Sequence, residues 1–346
     1  MDLEPPAGPS GRWVDTLPER AARAVHPAVW SYLQSGSYGD VTVAEATRAW
    51  HEVRFRTRVL RGIGSVDLAT TLLGTPVSSP IGVAPTAMQR AVHPQGERAM
   101  TAGAQAAGSL CVVSSNSGTR WDELGATAPW WLQAYLPTDR DQMRQVLERA
   151  VAAGAAAIVL TADTPFPGSK YAADEEDWTG VDLAWWRVNF PPPHPDRWAA
   201  DLGFDDVGWL REAAGVPVVV KGVLRGDDAV RCLDAGADAI YVSNHGGRQL
   251  DRAVSTASAL REVVGAVGDR AEVYVDGGIR TGVDVLAALA LGARGVFLGR
   301  SPLHALAVDG ARGVERLLTD LVVELGEVLH LAGCATPYEA PTLLPD

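Results

Sequence analysis

A loose internal repeat constrains this chain more than any other feature of its sequence. Time after time a helical stretch ends in Gly, with Ala beside it, and a short apolar run follows. Ala106-Ala107-Gly108 precedes the run 110–115, Ala152-Ala153-Gly154 precedes 157–163, and Ala213-Ala214-Gly215 precedes 216–222. Asp234-Ala235-Gly236 precedes 239–244, and Leu291-Gly292-Ala293 precedes 295–299. Gly just past a helix end adopts the left-handed conformation that stops the helix, and Ala lets helix and sheet approach closely. The runs are continuously apolar, which marks strands buried on both faces, as in parallel sheets. Runs at 81–85, 130–135 and 272–278 bring the set to eight strands. Eight strand–helix units in about 220 residues predict an α/β chain closed into a (β/α)8 TIM barrel over 81–333. A doubly wound open sheet is the alternative, but its G-x-G-x-x-G turn after the first strand is absent.

Two segments lie outside the repeat. Residues 1–80 read as an N-terminal helical extension packed on the barrel, with candidate helices at 21–34 and 43–51 and Tyr32 near the end of the first. A long insertion at about 168–206 follows the fourth strand, and loops of that length are usually functional lids or disordered. It carries Asp174-Glu175-Glu176-Asp177, three prolines at 191–193, and Trp178, Trp185, Trp186 and Trp198. A last helical region is expected at 310–332, and residues 334–346 form a C-terminal tail.

Charge and cysteines narrow the function classes. A net charge of −12 argues against a nucleic-acid or anionic-membrane surface while leaving room for a local basic pocket. Cys111, Cys232 and Cys334 are odd in number, far apart and in apolar surroundings, which reads as buried free thiols with no metal-ligand spacing. The start of the chain lacks a signal-peptide pattern, and no run reaches the ~18 apolar residues of a membrane span. A soluble, cytoplasmic protein is expected. Lys and Arg total 30, yet only Lys170 and Lys221 are lysines. A composition that avoids lysine has kept it at two places.

Barrels build their active sites at the C-terminal ends of the strands. The polar residues there are Ser114 and Ser115, Gln133 and Tyr135, Thr161 and Asp163, Lys221, Ser243 to Arg248, Asp276 to Arg280, and Gly299-Arg300. The last two groups combine bare backbone with cations, the pattern of a barrel phosphate site. His245 directly follows a strand and can take a proton near neutral pH, while Arg248 can hold a carboxylate bidentately. Gly246 and Gly247 between them would clear space for a ligand ring. Lys221 suits either a Schiff base or the stabilisation of negative charge, and the residue pattern leaves both open.

From about Tyr32 to Gly333 the chain resembles the FMN-dependent 2-hydroxy acid oxidases and dehydrogenases, a family that includes glycolate oxidase, mandelate dehydrogenase, lactate oxidase and hydroxymandelate oxidase. The matching stretches are A-P-T-A-M at 84–88, T-A-D-T-P at 161–165, V-K-G-V at 220–223, S-N-H-G-G-R-Q-L-D at 243–251, D-G-G-I-R-T-G-V-D-V at 276–285 and L-G-R at 298–300. The resemblance implies His245 as the base, Asp163 as its supporting carboxylate, Arg248 as the carboxylate clamp, and Tyr32 and Tyr135 as ligands of carboxylate and hydroxyl. It implies Lys221 beside the flavin, with Ala84, Pro85, Thr86, Ala87, Ser114, Gln133, Thr161 and Ser243 along the ring and ribityl chain. Asp276, Gly278, Arg280, Gly299 and Arg300 would take the ribityl and phosphate end. The implied reaction is oxidation of an (S)-2-hydroxy acid to the 2-oxo acid, by hydride transfer or by way of a carbanion.

Two positions depart from the family pattern. Asn116 stands where glycolate oxidase-like members have an aromatic residue, which predicts a roomier or more polar pocket. Lys170 stands where the family often has an Arg, and a lysine is a point charge where Arg is a planar fork. With the aromatic-rich insertion, these departures favour an aromatic substrate such as mandelate or 4-hydroxymandelate over lactate or glycolate. Ala87, which resembles the oxidases, points to oxygen as acceptor. The family resemblance further implies a homotetramer or higher oligomer.

Overall fold

The computed structural model describes residues 12–182, 186–195 and 198–345. Eight parallel strands form the barrel: β3 (Ile81–Val83), β4 (Val112–Ser114), β5 (Trp130–Ala134), β6 (Ala155–Thr161), β7 (Val218–Val223), β8 (Ala239–Val242), β9 (Glu272–Val275) and β10 (Gly295–Leu298). Each pairs with the next from β4 through to β10, and β10 pairs with β3. The remaining seam is a single parallel bridge between Val83 and Cys111. The barrel reading stands, with strands shorter than the apolar runs because several runs extend into the loops.

The helices on the outer face include α5 (Gly96–Ala106), α6 (Arg140–Ala152), α8 (Asp205–Ala214), α9 (Gly226–Asp234), α10 (Thr256–Val267) and α11 (Gly282–Ala290). The strands are buried on both faces, so alternation separates two cores. Ile240, Val242, Val273 and Val275 face the helices, while Ala239, Tyr241 and Tyr274 face the barrel interior. Trp131, Tyr241, Tyr274 and Phe297 fill that interior, with ring centroids 5.1–6.4 Å apart. Small residues opposite them are required: a Cβ on Gly82 would lie 2.6 Å from the Phe297 ring.

Several expectations need correction. The single helix at 21–34 is two, α1 (Leu17–Ala24) and α2 (Pro27–Gln34), because Pro27 cannot continue a helix but suits its first position. The second candidate is α3 (Val41–His51). The extension also contains an antiparallel hairpin, β1 (Thr70–Leu72) and β2 (Thr75–Val77), whose Leu72 and Val77 join the interior core and plug the barrel floor. The last helical region stands as the second part of α12 (Arg300–Ala332), which breaks at Asp309 and Gly310 and has a further helical stretch ahead of that break. The C-terminal tail holds a 3-10 helix, Pro337–Leu343, which buries Ala340 and Leu343. Cys111, Cys232 and Cys334 are buried free thiols. Among the described residues no helix is long and apolar enough to cross a membrane.

The insertion is anchored where it is described. It includes the short helix α7 (Tyr171–Asp174). Asn189 donates to Ser117 Oγ and to the Thr119 carbonyl, both at 2.9 Å, and Ala199 N donates to the Leu136 carbonyl. Trp178 packs edge-on against Tyr32. Trp185 lies outside the described residues.

Candidate active site

The interior alternation builds the upper layer of the barrel. Two residues beyond an interior core residue, the same face recurs at the strand's C-terminal end. Ser114 therefore follows Val112, Gln133 follows Trp131, Thr161 follows Val159, Lys221 follows Val219, Ser243 follows Tyr241 and Asp276 follows Tyr274. All six are buried and polar, and they bond to one another. Ser114 Oγ donates to Gln133 Oε1, whose Nε2 donates to Thr161 Oγ1, both at 2.9 Å. Lys221 Nζ donates to Ser243 Oγ at 2.7 Å and lies 3.3 Å from Asp276 Oδ2, while Ser243 Oγ donates to Asp276 Oδ1 at 2.6 Å. Lys221 is thus held by Ser243 and Asp276, which speaks against a Schiff-base role.

This layer floors a cavity of about 300 Å³, within the range of small-molecule sites. Ala84, Pro85, Thr86 and Ala87 form one side, and Ser114, Gln133, Thr161, Lys221 and Asp276 form the floor. Tyr32, Tyr135, Lys170, His245 and Arg248 line it too, as do Gly278, Arg280, Gly299 and Arg300. Asn116 also reaches the wall. Two expected site residues do not. Ser243 lies behind Lys221, fully buried as a hydrogen-bond hub, and Asp163 lies behind His245.

His245 opens a tight turn with φ 56°, and its Nδ1 lies 2.9 Å from Asp163 Oδ1. Asp163 is 13% exposed and His245 24%, so the pair is largely shielded from water. Burial favours the neutral carboxyl, but His245, Lys221 and Thr164 outweigh it and hold Asp163 below its ordinary value. An ionised Asp163 accepts a hydrogen bond from Nδ1–H, which favours the tautomer with the lone pair on Nε2. Gly222 (φ 104°) makes this possible, since a Cβ there would lie 2.5 Å from Asp163 Cβ. Burial, together with Asp163 and Tyr32, pushes the Tyr135 phenol well above its ordinary value, so it remains a donor.

The arginines are set by the N-terminal extension. Arg248 Nη1 donates to the Tyr32 and Ser35 carbonyls at 2.6 and 2.7 Å, and its guanidinium covers the Tyr32 ring at 4.5 Å. Arg300 donates to the Leu33, Gln34, Ser35 and Gly246 carbonyls. The C-terminal carbonyls of α2 carry the helix's partial negative charge, which suits both cations. Arg280 is buried beside them. Burial pushes Arg280 and Arg300 down from the ordinary guanidinium value, and for Arg300 the neighbouring Arg248 and Arg280 add to it. Such a cluster calls for an anion, and the first turn of α12 adds its N-terminal N–H groups beside Arg300. A phosphate monoester fits these donors, and the rest of the FMN molecule fits the cavity above the polar floor.

Gly246 lines the cavity, and both Gly246 and Gly247 also allow close packing behind it. Both have positive φ, and a Cβ on them would meet Arg300 Nη1 at 3.2 Å or Val43 Cγ2 at 2.7 Å. They let Arg300 and α3 close on the His245 turn. Lys170 Nζ donates to the Gly168 carbonyl at 2.7 Å and to that of Arg248 at 3.4 Å, at the cavity edge. Asn116 is already engaged, because its Oδ1 accepts from Arg187 Nε at 3.1 Å.

Sequence reasoning missed Thr164, Pro167, Arg187 and Gln249, all on the cavity wall, and gave Trp186 and Trp198 no place in the site. Gln249 was legible as part of the 243–251 stretch. Arg187 carried no signal beyond its place among the tryptophans of the insertion.

A (β/α)8 barrel that gathers a His–Asp pair, an ion-paired lysine, Arg248, Arg280 and Arg300 around one cavity fits a flavin-dependent hydroxy acid oxidoreductase. The model of the FMN-dependent dehydrogenase family matches residues 21–343, and the chain belongs to this family of FMN-dependent 2-hydroxy acid oxidases. It is 38% identical to glycolate oxidase of Spinacia oleracea over 331 residues, 90% of this chain and 89% of that protein. Rice glycolate oxidase 1 (Oryza sativa subsp. indica) is likewise 38% identical over 328 residues, 89% of this chain and 88% of that protein. Among solved structures, a mandelate oxidase with (S)-2-phenylpropionate matches with a TM-score of 0.89 at 35% identity, covering 95% of this chain and 97% of that one.

Proposed function

We propose that this enzyme oxidises an (S)-2-hydroxy acid with an aromatic side chain, mandelate or 4-hydroxymandelate, to the 2-oxo acid, with oxygen as acceptor and hydrogen peroxide as product. The observation that carries the reading is the His245–Asp163 contact of 2.9 Å, with Arg248 on the same cavity wall. Arg248 would hold the substrate carboxylate, helped by the Tyr32 hydroxyl, and so bring the 2-hydroxyl to His245 Nε2. Tyr135 would donate to the substrate oxygen. His245 takes the hydroxyl proton, and Asp163 stabilises the imidazolium that results. Lys221 sets a buried positive charge in the floor, where it favours anionic species. Bound FMN would supply the oxidant for the α-C–H bond, as the acceptor of that hydrogen with its electron pair, and its reoxidation by oxygen would give hydrogen peroxide. The aromatic preference is supported by the rings of Tyr135, Trp186 and Trp198, which line the cavity.

A visible spectrum before and after anaerobic mandelate tests the reading. The expected outcome is a yellow protein bleached by (S)-mandelate, restored by air with release of peroxide, and a kcat/KM for mandelate above those for lactate and glycolate. A protein bleached by no 2-hydroxy acid would overturn the activity. A higher kcat/KM for lactate or glycolate would overturn the aromatic assignment, and bleaching without peroxide on reoxidation would overturn the acceptor.

A further inference from the structure

The insertion brings a further cation to the cavity wall, besides Lys170 and Arg248. Arg187 lines the wall with Asn116, Trp186 and Trp198. Its guanidinium lies 4.5 Å from the Trp198 ring centroid, and Trp198 in turn stacks on Tyr135 at 5.4 Å. Arg187 therefore stands one indole away from the residue proposed to touch the substrate hydroxyl.

Its partners are all neutral. Nε donates to Asn116 Oδ1 at 3.1 Å and Nη1 to the Pro195 carbonyl at 2.8 Å, and among the described residues no carboxylate pairs with it. Burial pushes its guanidinium down from the ordinary value, the direction expected of a cation that lacks counter-charge. Asn116 is buried and oriented from behind, since its own N donates to Ser114 Oγ at 3.1 Å. Two residues on, Asn189 ties the segment to Ser117 and Thr119, so Arg187 sits on a fixed support. A 2-hydroxy acid with a single carboxylate is already provided for by Arg248 at the His245 end. Arg187 remains as positive charge that such a substrate leaves unmatched.

We propose that the Arg187–Asn116 pair is a specificity site for a second anionic group at the far end of the substrate, so that the preferred substrate is an aromatic 2-hydroxy acid bearing a ring carboxylate. The ring would lie against Trp198, the first carboxylate at Arg248, and the second at Arg187. A guanidinium recognises a carboxylate through charge-assisted hydrogen bonds, about twice as strong as neutral ones. This inference rests on the 2-hydroxy acid oxidation proposed above.

The test compares 4-carboxymandelate, 4-hydroxymandelate and mandelate by anaerobic flavin reduction in wild type and Arg187→Met. It also measures binding of the non-oxidisable phenylacetate and 4-carboxyphenylacetate by flavin difference spectra. Wild type should favour the ring carboxylate by on the order of tenfold or more in both kcat/KM and Kd, with 4-hydroxymandelate between the two. In Arg187→Met that ratio should collapse toward one, and Arg187→Lys should restore part of it. A wild-type ratio below one, or a ratio that survives in Arg187→Met, would overturn the proposal while bleaching by mandelate kept the underlying activity intact. Absence of bleaching by all three acids, with FMN bound, would instead remove the activity on which it rests.

Discussion

Gly222→Ala puts the His245–Asp163 pair under direct mechanical test. Gly222 has φ 104°, and a Cβ built there meets Asp163 Cβ at 2.5 Å, Cγ at 2.7 Å and Oδ2 at 2.9 Å. The clash is with the root of a short side chain, which cannot swing clear. An ordinary carbon–carbon contact begins near 3.5 Å, so Asp163 must retreat by about 1 Å. Its 2.9 Å contact with His245 Nδ1 then exceeds the useful range of a hydrogen bond. Misplacement on that scale corresponds to a loss of about 100-fold in rate, or roughly 2.7 kcal/mol of activation free energy. Backbone strain at positive φ destabilises the fold separately, by about 1–2 kcal/mol. Gly215→Ala supplies the control, because Gly215 has φ 66° with nothing within 4 Å of its added Cβ. The assay is stopped-flow flavin reduction under anaerobic mandelate, alongside urea unfolding. Both variants should lose stability, and only Gly222→Ala should lose the reduction rate. A folded, FMN-loaded Gly222→Ala enzyme reducing at the wild-type rate would refute the dependence of His245 on Asp163.

Other outcomes follow from the same geometry. His245→Ala should keep its FMN spectrum and lose flavin reduction by several orders of magnitude; normal reduction would remove the base assignment. Arg300→Met should raise the Kd for FMN by roughly 10- to 100-fold, the range for a charge-assisted hydrogen bond to phosphate, as read by fluorescence quenching. Riboflavin, which lacks the phosphate, should bind the variant and the wild type about equally, and a matching loss for riboflavin would count against a phosphate role. Asp163 has a folded pKa below its unfolded value of about 3.9, so its charge adds stability that is complete above that pH and lost as pH falls through the lower folded value. The difference in urea midpoint between wild type and Asp163→Asn should therefore be flat from about pH 5 to 8 and shrink below about pH 4; a difference that grew on acidification would reverse the assignment.

The barrel was legible because its strands are buried on both faces, and continuous apolar runs with Gly-terminated helices record that burial directly. The upper polar layer was legible too, since period-two alternation carries Lys221 and Asp276 onto the same interior face as Val219 and Tyr274. Alternation could not tell which of those residues reach the cavity, and Ser243 proved to stand behind Lys221. The packing role of the Gly246–Gly247 pair was not legible, because a missing side chain does not say that Arg300 and α3 close on the turn. The hairpin Thr70–Leu72 and Thr75–Val77 escaped notice because three-residue strands are too short to register as a period. Arg187 escaped because its role depends on how an irregular segment folds back over Asn116, a contact with no local signature.

The carbonyls at the end of α2 have a consequence for how the enzyme is made. Arg248 and Arg300 bond to Tyr32, Leu33, Gln34 and Ser35 across 213 to 267 residues of chain. The segment that orients both guanidiniums is therefore made more than two hundred residues ahead of its partners. Contacts this distant in sequence form slowly, and during synthesis they wait on nearly the whole chain. The carbonyls of α2 thus gain their second guanidinium only once Arg300 has been made, and a nascent chain lacking β10 and α12 holds His245 and Arg248 without it.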